Sequence, residues 1–109
     1  MELPNFNSRV FLAPMAGISD PAFRLICHEH GAGLTFTELT SIHSVVALKG
    51  DLKKIIPFDS REKPRAIQLF GSDIDLLSKA AKIVEPFFDI IDYNMGCPAP
   101  HITNSMAGA

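Results

Sequence analysis

At 109 residues the chain fits one domain, and a hydrophobic share of 47% is enough to bury a modest core. A formal net charge of −2 excludes the basic footprint by which a nucleic-acid binder announces itself through electrostatics alone. No apolar run approaches the roughly 20 residues of a spanning helix, and the start Met1 to Arg9 is polar and proline-containing, unlike a signal peptide, so the expected compartment is cytoplasmic with no membrane contact.

Val10-Phe11-Leu12 predicts a first strand, followed by the turn-rich segment Ala13 to Ser19. Asp20-Pro21 is a helix start, a side-chain acceptor before a first-turn proline, and Phe23, Ile26 and Cys27 continue an inward-facing pattern until Gly31 stops it. Leu34 to Thr37 is β-branched and aromatic enough for a second strand, and Ser41, Ile42, Val45, Val46 and Leu48 predict a second helix ending at Gly50. Lys49 to Pro64 is charged, holds two prolines and lacks a sustained period, which predicts a connecting excursion with a short strand or turn at Ile55-Ile56. Arg65 to Phe70 is the third strand. Gly71 breaks it, and Ser72-Asp73-Ile74-Asp75 resembles a capping box for a third helix running to about Val84. Ile90 to Asn94 is the fourth strand, and Gly96 to Asn104 reads as a loop.

Strands alternating with helices predict an α/β fold with a parallel sheet, either open and doubly wound or closed as a barrel. A complete (β/α)8 barrel takes about 250 residues, so about four parallel strands could supply only half of one.

In either architecture ligands bind at the carboxyl ends of the strands. Four segments lie there. Ala13-Pro14-Met15-Ala16-Gly17 offers proline, small residues and peptide groups to a planar ligand, or is a plain tight turn. Thr37-Glu38 puts a carboxylate at the mouth, equally readable as a helix-start charge. Gln68 is a polar residue inside an apolar strand, where an unpaired amide costs a few kcal/mol, so it needs a ligand or a neighbouring backbone as partner. Asp92-Tyr93-Asn94-Met95-Gly96-Cys97-Pro98 places an amide, a flexible glycine, a thiol and a rigid proline after a buried strand. Many cysteines are simply small hydrophobes. A free thiol with the ordinary pKa of about 8.5 is largely protonated at neutral pH, so a reactive cysteine could be a general acid as readily as a nucleophile.

Cys27-His28-Glu29-His30 brings only Cys27 and His30 to one helix face, too few ligands for a metal, so none is expected. Cys27 is expected to pack inward, with the two histidines covering the helix end. His43 is expected to be structural. With no secretory signal, Cys27 and Cys97 are expected as free thiols.

Taken together, Ala13 to Asp20, Thr37-Glu38, Gln68-Leu69-Phe70-Gly71 and Asn94-Met95-Gly96-Cys97-Pro98 occur in an order and spacing that resembles the tRNA-dihydrouridine synthases. The resemblance implies a flavin-dependent TIM barrel that reduces the 5,6 double bond of uridines in tRNA, using FMN recharged by NADPH or NADH. On that resemblance Pro14, Met15 and Ala16 line the isoalloxazine ring through backbone contacts, and Gln68 hydrogen-bonds its polar edge. Asn94 helps hold the uracil or flavin face, and Cys97 is the acid that protonates C5 of uracil. His101 stands where members of the family often carry lysine, a departure expected to weaken a contact to RNA phosphate; it is given no role.

Residues 1–109 are then expected to be the N-terminal half of the catalytic barrel, without its C-terminal half and helical tRNA-binding domain. Such a piece alone is expected to be inactive and to self-associate through exposed strand edges. Rival expectations are another FMN-dependent TIM-barrel reductase of a small pyrimidine or enone, and a non-catalytic half-barrel remnant.

Overall fold

The computed structural model describes residues 2–48, 51–104 and 106–107. The β-branched and apolar runs form β1 (Phe11–Leu12), β2 (Leu34–Ser41), β3 (Arg65–Phe70) and β4 (Ile90–Tyr93). They make one sheet in the order β1-β2-β3-β4, and each neighbouring pair is parallel. Parallel neighbours cannot be joined by a hairpin, so the chain must cross back between them. It does so through α1 (Pro21–Glu29), then α2 (Ile42–Ala47) with α3 (Leu52–Ile55), then α4 (Ile74–Val84) extended by a 3-10 turn at Glu85–Phe87. A short helix α5 (Pro100–Thr103) follows β4. Sheet order identical to chain order is the arrangement of half a (β/α)8 barrel; a doubly wound sheet reverses direction at a switch point. No helix among the described residues is long and apolar enough to cross a membrane.

The core lies on one face of the sheet. Ile67 and Leu69 of β3 are fully buried against Ile42 and Val45 of α2, Leu52 of α3, Ile56, Ala80 and Val84 of α4, and Phe88. Each such aliphatic side chain contributes about 1.5–3 kcal/mol by leaving water. The two-residue period of a strand therefore turns Ala66, Gln68 and Phe70 to the opposite face. The edge strands leave Val10, Phe11 and Ile91 exposed.

Local chemistry explains the element ends. Asp20 caps α1 by accepting the Phe23 N–H at 2.8 Å, with Pro21 in the first turn. At the other end His30 Nδ1 lies 2.9 Å from the Ile26 carbonyl, and Gly31 takes a φ of 96° that a side chain disfavours. His28 turns instead to the Thr35 hydroxyl, 3.1 Å away. The cap of α4 is Asp73, not Ser72: its carboxylate accepts the Leu76 N–H at 2.9 Å, while Asp75 sits in the first turn near the positive end of the helix. Asp73→Ala is expected to lower stability by about 1 kcal/mol, read as a lower urea midpoint; an unmoved midpoint would assign the capping elsewhere.

Several expectations are corrected. In α1 the buried side chain is Arg24, which has a buried carboxylate to meet, while Phe23 and Ile26 stay exposed. Cys27 is half-buried and free. The second strand runs on to Ser41, so Ser41 precedes α2 rather than opening it and makes no capping bond; the expected stop at Gly50 lies outside the described residues. Where a short strand or turn is expected at Ile55-Ile56, Ile55 ends the short helix Leu52–Ile55, which buries Leu52 in the core. The expected loop Gly96 to Asn104 contains α5, opened by Pro100, whose fixed φ suits a first helical turn, and held by buried Ile102.

Candidate active site

The candidate residues lie at the carboxyl ends of β1 to β4, and a bulge in β2 shapes the sheet there. Phe36 pairs with Ala66 and Leu39 with Gln68, so Thr37 and Glu38 together stand opposite Ile67 alone. An extra residue of this kind breaks the ladder locally and re-aims side chains. The Gln68 N–H finds the Thr37 hydroxyl at 3.3 Å, and that hydroxyl donates in turn to the Glu38 carbonyl at 3.0 Å. Glu38 is thus inside β2, which removes the helix-start alternative of the two readings its sequence allowed. Its carboxylate accepts the Gly17 N–H at 2.9 Å and so ties the β1 loop to β2.

The loop Ala13 to Gly17 is held from below as well. Ser19, fully buried, accepts the Met15 N–H and donates to the Met15 carbonyl, both at 3.0 Å. The Ile18 and Ser19 N–H groups close on the same carbonyl, and Gly17 turns the chain with a φ of 76°. Both backbone polar groups of Met15 are consumed inward. Ala16, exposed at the tip, keeps an N–H with no partner among the described residues.

Beneath Ser19 lies a buried ion pair. Arg24 Nε meets Glu62 Oε2 at 2.6 Å, with side-chain exposures of 3% and 0%. Arg24 also donates to the carbonyls of Ser19 and Pro57, and Glu62 Oε1 accepts the Asp59 N–H. These residues were not singled out from the sequence, where a lone Arg on a helix reads as surface.

Across the sheet, Gln68 and Asp92 are register partners on β3 and β4, and their side chains bond, Gln68 Nε2 to Asp92 Oδ2 at 2.6 Å. Asn94 Nδ2 donates to Gln68 Oε1 at 3.3 Å, and Asn94 Oδ1 accepts the Gly96 N–H at 3.0 Å. The protein partners of the Gln68 amide are therefore side chains and not the neighbouring backbone. Gln68, with 8% of its surface exposed, retains one N–H and one Oε1 lone pair without a partner among the described residues. Behind this group Tyr93 donates its hydroxyl to the Gly71 carbonyl, fixing β4 to the exit of β3. Cys97 follows on the same turn, half-buried and free.

The structure thus brings Gln68 and Asn94 into direct contact, sets Cys97 on the turn that Asn94 braces, and holds Pro14 to Ala16 on a separately pinned loop. A cavity of about 340 Å³ is lined among others by Arg24, Glu38, Ser44, Pro57 and Phe70; its lining does not include Gln68, Asn94, Cys97 or Pro14 to Ala16. At the amino end of β3, Asp59 is held well below the usual carboxylate range by the hydrogen bonds and charge of Arg61, a surface pair far from this chemistry. Among the described residues no three His, Cys, Asp or Glu side chains gather as a metal site.

A parallel α/β half-barrel with a polar, thiol-bearing site at its strand ends is the class this geometry defines. The family model described as dihydrouridine synthase (Dus) matches residues 11–109, and the chain belongs to that family. It is 46% identical over 104 residues to tRNA-dihydrouridine synthase B of Pasteurella multocida, a match covering 94% of this chain and 31% of that protein. It is 40% identical over 109 residues to a probable tRNA-dihydrouridine synthase of Treponema pallidum, covering 96% and 32%, and 40% identical over 104 residues to the B enzyme of Escherichia coli K12, covering 94% and 32%. The chain spans about a third of the length of these relatives.

Proposed function

We propose that these residues form part of the flavin and uracil site of an enzyme that reduces uridine to 5,6-dihydrouridine in tRNA, drawing its electrons from NADPH or NADH through FMN. The observation that carries this reading is the contact of Gln68 with Asn94, joined through Gly96 to the turn that bears Cys97. The donor set suits the polar edge of an isoalloxazine ring, which presents several acceptors and one N–H. Gln68 keeps one donor and one acceptor free, and Ala16 keeps an N–H. Pro14 and Met15 add half-buried surface for the ring plane, Met15 without polar contacts because Ser19 has taken both.

When bound there, FMN would supply the hydride chemistry needed at C6 of the uracil. The chain's own residues do the rest. Asn94 orients the pyrimidine, and Cys97 holds a proton at Sγ for C5, so that the pair of electrons arriving at C6 is matched by a proton on its neighbour. Glu38, Ser19 and Arg24 keep the β1 loop in place.

Expressed from its whole reading frame, the protein should emerge from gel filtration with a flavin visible spectrum and should add two hydrogens to uridine in tRNA that lacks dihydrouridine, scored by mass spectrometry of nucleosides. Colourless protein that leaves the tRNA unchanged defeats the reading. Gln68→Ala should weaken FMN binding about tenfold in a fluorescence titration, the worth of one buried hydrogen bond; unchanged affinity would remove Gln68 from the ring's edge.

A further inference from the structure

An amide side chain in a site has two orientations that exchange donor and acceptor, and something must choose between them. Here both ends of a short relay make that choice. Asp92, as a carboxylate, only accepts, so Nε2 of Gln68 must face it, as it does at 2.6 Å. Oε1 of Gln68 then points at Asn94 and needs a donor there, which Nδ2 supplies. Oδ1 of Asn94 is left for the Gly96 N–H, which only donates. An acceptor at one end and a donor at the other admit a single orientation for the two amides between them.

We propose that Asp92 is a positioning residue whose acceptor oxygen holds the Gln68 amide in the one orientation that offers its second N–H to a ligand at the strand ends. The ligand's identity as FMN rests on the function proposed above; the orientation of Gln68 does not. Asp92 is half-exposed on β4 and pairs in register with Gln68, so it acts through Gln68 and touches no reacting atom. Among the described residues its carboxylate has no cation for a partner, and the Gln68 amide is the one side chain it bonds. An ion-pair role in stability is thereby set aside.

The test separates acceptor from charge. Asp92→Asn keeps an oxygen at the same place, and the Gly96 end of the relay still dictates that this oxygen faces Gln68. Asp92→Ala removes the acceptor and leaves the longer Asn94 contact, at 3.3 Å, as the one side-chain bond holding the Gln68 amide among the described residues. In the protein expressed from its whole reading frame, Asp92→Ala should weaken FMN binding about tenfold by fluorescence titration, as expected for a misplaced buried hydrogen bond, with Asp92→Asn within about threefold of the parent. In the flavin-free protein, the Gln68 side-chain N–H protons should exchange slowly with solvent in nitrogen-15 NMR of the parent and Asp92→Asn, and markedly faster in Asp92→Ala. Equal FMN affinity in parent and Asp92→Ala overturns the proposal, as does an Asp92→Asn variant as impaired as Asp92→Ala. A protein that binds no FMN but shows the NMR pattern leaves the relay standing and defeats only the ligand's identity.

Discussion

Glu62→Ala should cost on the order of 3–5 kcal/mol of folding free energy. Glu62 is fully buried, and the guanidinium it faces is buried too. Removing the carboxylate leaves Arg24 as a charge out of water with only the Ser19 and Pro57 carbonyls as partners, and leaves the Asp59 N–H without its acceptor. Arg24→Ala should cost a similar amount for the mirror reason. The double replacement Arg24→Met with Glu62→Leu should recover most of the loss, because apolar groups of similar volume carry no desolvation penalty. Urea unfolding of Arg24→Met, Glu62→Leu and the double closes the cycle; a double variant as unstable as the sum of those two singles contradicts the argument. Lys54 and Asp51 make a pair just as short, but with side chains 76% and 51% exposed it should contribute no more than about 1 kcal/mol. Even the recovered double variant should hold the β1 loop less firmly, since Arg24 also grips the Ser19 carbonyl above which Met15 is fixed.

The same pair marks the boundary of what was legible in the sequence. β3 could be read residue by residue because Arg65 to Phe70 is a continuous buried run closed by Pro64 and Gly71, and a strand covered on both faces has that appearance. The α1 start and the α4 helix were legible through local chemistry: an acceptor before a proline, an acidic pair before an apolar stripe. What local pattern could not reveal is long-range pairing. Arg24 and Glu62 meet across 38 positions, and nothing in either neighbourhood announces it. The β2 bulge was invisible because Thr37 and Glu38 look like the end of a strand when the partner β3 is not in view. Gln68 was recognised as needing a partner, yet its partners, Asp92 and Asn94, became evident only once register set β4 beside β3. Phe23 and Ile26 misled for the opposite reason: their spacing is that of a buried face, and it stays exposed.

On the function proposed above, Cys97→Ala should lower dihydrouridine formation by about 10²–10⁴-fold, the usual worth of a positioned general acid, while leaving FMN binding and its reduction by NADPH unchanged. The turn tolerates the change. Cys97 is half-buried and makes no hydrogen bond among the described residues, and the neighbouring Gly96 N–H is secured by Asn94 whatever side chain follows. Loss of turnover would therefore report the missing proton and not a collapsed loop. Hydride arriving at C6 places negative charge on C5 and its carbonyl, and without a donor at C5 the reduced ring cannot form. Rapid-mixing measurements separate the two half-reactions: bleaching of the flavin by NADPH at the parent rate, then a stalled reoxidation by tRNA. A nucleophilic cysteine predicts something different, a covalent protein–RNA adduct with the parent that Cys97→Ala abolishes; its detection would replace the proton-donor role. Cys97→Ser should recover little, because a hydroxyl is a far weaker acid than a thiol, and turnover near the parent level in either variant would move the proton donor to another residue.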